Sequence, residues 1–463
     1  MPQLDVLAER ALKAAERLHP EYAEAYVEHS YSQFFPIEQG KFNGGGFSES
    51  TGVRIRILKG KRLYTLSTNR PSEAAIASLL DRYRAFAGMD TAFAHAPREK
   101  DSYKAEERKS IDDADLLRDM TELDKDLAKM HAVKYRSIYS WKERSRTHFV
   151  NSEGSEIRAD KPDVGAFIAL TIAAGKDTRQ RMLQPGGVGG YELMEYTALH
   201  KMLTDEVNAI ENVLTKGINL SAAALKEAKN VVISPEITGI AVHESVGHPN
   251  EADRVFGREA AQAGLSYLTR EKLGMKICSP EITLIDNPSI KGTKGFYLYD
   301  DEGVRARPKT IIDKGYQNEL LTNRAYAHVL HTRSNGSARS DGYANEPLVR
   351  MSNTYVEKGV ATLDDLLAEA KNGVYMKNFM EWNIDDTRTF SRYQGNVAYS
   401  IKNGSLDKPV KNFKLEKDTL EFWNAVKMRS NEFELWGATC GKGEPQQGAP
   451  VTMGGPSLLL QFG

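Results

Sequence analysis

The chain has 463 residues, 40% of them apolar and 27% charged, a composition that excludes bulk disorder. Lys plus Arg (62) against Asp plus Glu (63) leaves a formal net charge of −1, so no electrostatic footprint for nucleic acid or an anionic membrane is present. Two cysteines, Cys278 and Cys440, are too few for a disulfide framework or a four-thiolate zinc site, and no apolar run approaches the roughly 18 residues of a membrane span.

The opening segment predicts an amphipathic helix, since Leu4, Leu7, Ala11, Ala15 and Leu18 recur at steps of three and four before Pro20. It has no signal-peptide apolar core, so a cytoplasmic protein with free thiols is the expectation. Two strands are expected over 22–38 and 51–67, joined by a turn at Asn43-Gly44-Gly45-Gly46. Alternation of Val53, Ile55 and Ile57 with Arg54 and Arg56 predicts that the second strand buries one face. A helix over 72–86 and a polar stretch over 89–109 follow. The clearest helix should start at Ser110 as its cap, and it carries the stripe Leu116, Met120, Leu123, Leu127 and Met130.

A second β region is expected from Val133 to about Ile172, with a turn at Asn151-Ser152-Glu153-Gly154. Gln184–Gly190 reads as a loop; it lacks the Lys-Ser/Thr of a phosphate cradle. Helices near 193–216 and 221–228 close this half, and short strands dominate from Val231. The expected fold class is α+β. An N-terminal α/β domain over 1–220 would hold an antiparallel sheet and helices, and a C-terminal domain over 221–463 would be rich in antiparallel β-structure.

The chemistry is concentrated after residue 230. Val231–Ser234 reads as a buried strand, with Pro235 at the favoured first position of a helix. That helix runs into the pattern H-E-x-x-x-H, formed by His243, Glu244 and His248. In the common zinc-peptidase pattern the histidines lie four apart, on one helical face. Five steps at 100° set them about 140° apart on an ideal helix, which cannot aim both at one metal. Two devices would repair this. Gly247 could end the helix in the left-handed conformation, with Pro249 pushing His248 out of α geometry, or a one-residue π-bulge could widen the turn. A third ligand stays open among Glu251, Asp253, His328, His331 and Cys440; a thiolate is a strong soft donor for zinc. Glu244 follows a ligand directly, where a carboxylate can serve as a base without coordinating. Glu251 and Asp253 are candidates for supporting the ligands by hydrogen bonds. Cys278 reads as an inert strand cysteine and Asp300-Asp301-Glu302 as a turn.

The stretch His243–Arg258 (HESVGHPNEADRVFGR) resembles the signature of the TldD/PmbA family of metallopeptidases, also labelled modulators of DNA gyrase. Thr51–Arg54 (TGVR), Tyr299–Gly303 (YDDEG), Pro347–Thr354 (PLVRMSNT) and Cys440–Lys442 (CGK) match as well, so the resemblance spans nearly the whole chain. It implies one Zn2+ per chain held by His243, His248 and Cys440, with Glu244 as catalytic carboxylate. It further implies unfolded or disordered peptides as substrates. The dimer it implies forms with a second copy or with a TldE/PmbA-type homologue lacking the metal motif. The continuation Gly443-Glu444-Pro445-Gln446 departs from the family's usual glycine–glutamine. Two alternatives remain: a non-proteolytic binding or regulatory module with a structural metal, and a zinc amidase acting on small molecules. An intact Glu244 argues against the first. No oxyanion-stabilising or substrate-binding residue is legible, although an extended peptide could add to a sheet edge.

Overall fold

The structure, a computed structural model, describes residues 2–86, 88–220, 229–257, 266–443 and 446–463. The helix expected over 221–228 lies outside the described residues. The opening helix forms at Pro2–Glu16 and buries Ala8, Ala11 and Ala15 in a cluster with Val27, Val53, Ile55 and Ile57. The expected strand over 51–67 is instead two, Gly46–Lys59 and Arg62–Thr68, because Gly60 (φ +61) and Lys61 (φ +62) turn the chain inside the apolar run. Its supposed solvent face is buried too. Arg56 pairs with Glu24 at 3.1 Å and with Glu302 at 2.9 Å, and Arg54 donates to Ser340 Oγ at 2.7 Å. Alternation anticipated water on that side; the second half of the chain covers it.

The helix with the apolar stripe starts at Asp113, later than expected. Its cap is Asp112 and not Ser110, and the Asp112 carboxylate accepts from the Asp115 amide at 2.7 Å. A carboxylate there also meets the positive end of the helix dipole. Leu116, Met120, Leu123 and Leu127 are buried with Ile138, Ile168 and Leu203. The long strands Val133–Asn151 and Glu156–Ala174 pair antiparallel around the expected turn. They belong to a ten-stranded sheet with Tyr22–Glu38 and Gly46–Lys59, which Asp177–Leu183 joins by pairing with Glu156–Ala174.

Among the described residues a two-stranded sheet of Ala338–Arg339 with Leu348–Val349 and two large sheets build the second half. In one, Asn230–Ile233 lies between Gly373–Ile384, parallel, and Leu458–Gln461, antiparallel. In the other, Gln447–Gly455 pairs antiparallel with Glu434–Lys442, which ends the sheet. The class is therefore α+β, with most strand pairs antiparallel. Cys278 is buried in a bend and not in a strand, and burial pushes its thiol up; both cysteines are free. Among the described residues no helix is long and apolar enough to cross a membrane.

A buried ion network ties the halves together beside the helix Pro235–Val242. Arg181 reaches Glu236 at 2.6 and 2.8 Å and Glu206 at 2.8 Å, and Asn378 donates to Glu206 at 2.6 Å. Arg181→Met is expected to cost about 3–5 kcal/mol, because Glu236 would stay buried without its cation and Glu206 would keep only Lys377, at 3.5 Å. Urea unfolding checks this, and a loss under about 1 kcal/mol would refute the assignment.

Candidate metal centre

Ser234 caps the helix Pro235–Val242, accepting from the Ile237 amide at 3.4 Å, and every residue of that helix is buried. Gly239 lets it approach the Gln447–Gly455 strand, since a Cβ there would come within 2.8 Å of the Gly454 nitrogen. Past Val242 the chain widens into a π-turn, His243–Gly247, closed by the His248 N–H donating to the His243 carbonyl five residues back. Residues five apart thereby share a side. The bulge is the device used, and the left-handed helix end is not: Gly247 keeps φ −60 and His248 keeps φ −56, ψ −44 ahead of Pro249. Tertiary partners make that backbone tolerable. Pro249 has no N–H for the Ser245 carbonyl, which accepts from Tyr267 Oη at 2.9 Å instead, and Asn250 Nδ2 donates to the Val246 carbonyl at 2.8 Å.

The turn brings the His243 and His248 ring centroids to 4.8 Å with planes 77° apart. Cys440, on the edge strand Glu434–Lys442, places Sγ 3.4 Å from His248 Nε2. One ligand atom from each of the three lies within 4.8 Å of the other two, and all three side chains are buried. Arg350 donates to the carbonyl of Cys440 and, at 3.1 Å, to that of Gln447, which fixes the hairpin. Burial opposes a thiolate at Cys440, yet the two imidazoles beside it hold the thiol well below its ordinary range. Burial likewise opposes charge on His248, but Cys440 and Glu251 outweigh it and raise the imidazole to about 9. Nδ1 of His243 is buried without a hydrogen bond among the described residues. The donor set suits zinc with an open fourth position.

Supporting contacts come from residues singled out in the sequence. Glu251 Oε2 stands 2.9 Å from His248 Nδ1, which leaves Nε2 facing Cys440. Lys442 Nζ donates to Glu251 at 3.0 Å, to Asp253 at 2.7 Å and to the Val349 carbonyl at 2.9 Å. A carboxylate behind a ligating histidine sets its orientation and raises its basicity. Glu251→Gln is expected to weaken zinc binding by about 10–100-fold in competition with a chromophoric chelator; unchanged affinity would remove Glu251 from the site.

Glu244 is buried beside His243, and its Oε2 accepts from Arg388 Nη1 at 2.7 Å. Arg388 sits at φ +62 in a turn held by the Asp385 carboxylate, which accepts from the Phe390 amide at 2.6 Å and from Thr389 Oγ1 at 2.9 Å. His243, Glu244, His248, Cys440 and Arg388 line one cavity of about 720 Å³, walled by Gln180–Gln184, Phe379–Asp386 and Trp436–Gly441. Sequence reasoning missed Arg388, because nothing in Asp385–Thr389 beyond turn composition links it to a glutamate 144 residues earlier. His328 and His331 are not grouped with His243, His248 and Cys440; His328 lies on a separate helix, Arg324–Val329, and His331 just beyond it. Asp300 is the turn residue expected, with its carboxylate accepting from the Glu302, Val304 and Ala338 amides.

Three domains of one family match the chain in order: PmbA/TldA metallopeptidase domain 1 over residues 23–88, the central domain over 103–216 and the C-terminal domain over 226–462. The chain belongs to the PmbA/TldD metallopeptidase family. A metalloprotease of Methanothermobacter thermautotrophicus is 29% identical over 95% of this chain and 94% of its own length. A zinc metalloprotease TldD homolog of Saccharolobus solfataricus is 25% identical, covering 97% of each chain. TldE from Thermococcus kodakarensis has the same fold, with a TM-score of 0.73 and 15% identity over 98% of this chain and 99% of that one. In this PmbA/TldD chain the signature residues are thus a bulged turn and one cysteine on an edge strand.

Proposed function

We propose that the chain is a zinc-dependent peptidase hydrolysing unfolded or disordered peptides, with Glu244 as general base. One observation carries the reading. Glu244 opens into the same cavity as three buried zinc-type donors and is bonded to Arg388, so it is aimed beside them without being one of them. Zinc held by His243, His248 and Cys440 would supply Lewis acidity, polarising a carbonyl and acidifying a water. Glu244 would take a proton from the attacking water as its oxygen bonds to the amide carbon, then pass it to the leaving amine. Arg388, in the same cavity and bonded to Glu244, is assigned the stabilisation of the negative charge that develops on the carbonyl oxygen, a role for a fixed donor. Arg388→Ala is expected to lower kcat by about 10²–10³ with zinc content and KM little changed. A loss confined to KM would reassign Arg388 to substrate binding.

Residues Trp436–Gly441 line the cavity from a strand at the end of its sheet, where an extended peptide could add by backbone hydrogen bonds. That mode asks little of substrate side chains and fits an unfolded substrate. The dimer is proposed to pair the chain with itself or with a TldE/PmbA-type homologue, and the chain to divide near residue 220. The deciding experiment measures zinc by mass spectrometry and casein cleavage before chelation, after it and after zinc is restored. One zinc per chain, with cleavage lost and regained alongside it, supports the reading. Zinc without cleavage, even with a metal-motif-lacking homologue added, would leave a structural metal and sink it.

A further inference from the structure

Nine non-glycine residues among those described adopt a left-handed backbone, and eight of them are exposed. The ninth, Arg388 (φ +62), is buried, and it is the residue that bonds the Glu244 carboxylate. Arginine has no reason of its own to take that conformation. Its Cβ is crowded there, and it lacks the short polar side chain with which asparagine or aspartate bonds the local backbone. Strain of this kind persists only where the surroundings over-determine it, and it gathers at active sites.

The surroundings here are the turn 385–389, which joins the antiparallel strands Gly373–Ile384 and Phe390–Lys402. Its carbonyls are taken by outside elements. That of Thr387 accepts from the Tyr267 amide at 2.9 Å, that of Arg388 from Thr419 Oγ1 at 2.7 Å, and that of Thr389 from the Thr419 amide at 2.7 Å. Its donors converge on one side chain. Asp385 Oδ1 accepts from the Phe390 amide at 2.6 Å, and Oδ2 accepts from the Thr387 amide at 3.2 Å, from Thr389 Oγ1 at 2.9 Å and from Thr387 Oγ1. The Arg388 amide returns to the Asp385 carbonyl at 3.0 Å. Burial opposes charge on the Asp385 carboxyl, yet these bonds hold it below the usual carboxylate range. Asp385 borders the metal cavity, but most of a carboxylate's roughly four acceptor sites are spent on its own turn.

We propose that Asp385 is a positioning residue: by gathering the donors of its turn it locks Arg388 in the left-handed conformation and so delivers the guanidinium to Glu244. Without that carboxylate, residue 388 relaxes to negative φ, its Cα–Cβ bond swings, and the guanidinium leaves Glu244. The three carbonyl contacts from Tyr267 and Thr419 still hold the turn to its neighbours, so the fold survives the change. The effect on catalysis rests on the proposed peptidase reading; the hold on the Arg388 backbone does not.

The test combines kinetics and crystallography on the full-length, zinc-loaded protein. Asp385→Ala is expected to lower kcat on casein about tenfold or more, with zinc content kept and KM within about twofold. In an Arg388→Ala background the same substitution should change kcat by less than about twofold, because an effect that passes through Arg388 disappears with it. Asp385→Asn keeps the shape and one acceptor oxygen, so its loss should be smaller; it takes the place of the alanine variant if that one does not fold. In crystals of Asp385→Ala the Arg388–Glu244 separation should open beyond about 3.5 Å, out of hydrogen-bond range. Losses that multiply in the double variant would overturn the proposal, since Asp385 would then act on substrate or fold directly. An Arg388–Glu244 bond kept in the crystals, or zinc lost with the carboxylate, would overturn it as well. Casein left uncleaved by the wild type, with that bond broken in Asp385→Ala, would remove the peptidase reading alone and leave the hold of Asp385 on Arg388.

Discussion

Glu244→Gln is expected to lower casein cleavage by about 10²–10⁴ while the protein still holds one zinc per chain. Glutamine matches glutamate in shape, so the packing at this buried position is kept, and its amide oxygen can still accept from Arg388 at the present 2.7 Å. What disappears is the ability to take a proton. His243, His248 and Cys440 are untouched, so metal content separates a lost base from a lost site. Zinc retained with cleavage within about threefold of wild type would remove Glu244 from the mechanism, and zinc lost with cleavage would make it a metal ligand.

Cys440→Ser is expected to abolish cleavage by the other route, through the metal. A neutral hydroxyl replaces a thiol that the two imidazoles favour as thiolate, so the softest donor of the three is gone. The loss should exceed the roughly 10–100-fold typical of supporting contacts, and zinc should leave on dialysis against a mild chelator. The hairpin should persist, because Arg350 holds the backbone carbonyl of residue 440 and not its side chain. Thermal unfolding of the chelated wild type and the chelated variant should therefore coincide. Full zinc content after dialysis would show that residue 440 is no ligand, and an unfolded apo variant would assign it a packing role instead.

These effects differ in how far they could be read from the chain itself. The strand Tyr22–Glu38, the helix stripe from Leu116 to Leu127, the turn after Asn151 and Pro235 at the start of a helix were all legible. Each depends on periodicity or on a turn or capping residue, which acts over a few positions. The five-residue spacing of His243 and His248 was also enough to show that a regular helix would fail and to name the bulge as a remedy. Choosing the bulge over a left-handed Gly247 took distant partners, Tyr267 for the Ser245 carbonyl above all.

Tertiary structure alone decided the rest. Arg54 and Arg56 alternate as an exposed face would, and they are buried because the other half of the chain supplies Glu302 and Ser340. Cys440 reaches His248 across 192 residues, and Arg388 reaches Glu244 across 144, by strand pairing and turn placement that no local pattern encodes. The sequence by itself determined which donors this protein has and that two of them share a turn. Which cysteine, which arginine and which cavity complete the centre follows from long-range packing, because side chains far apart in the chain meet only where sheets bring their strands together.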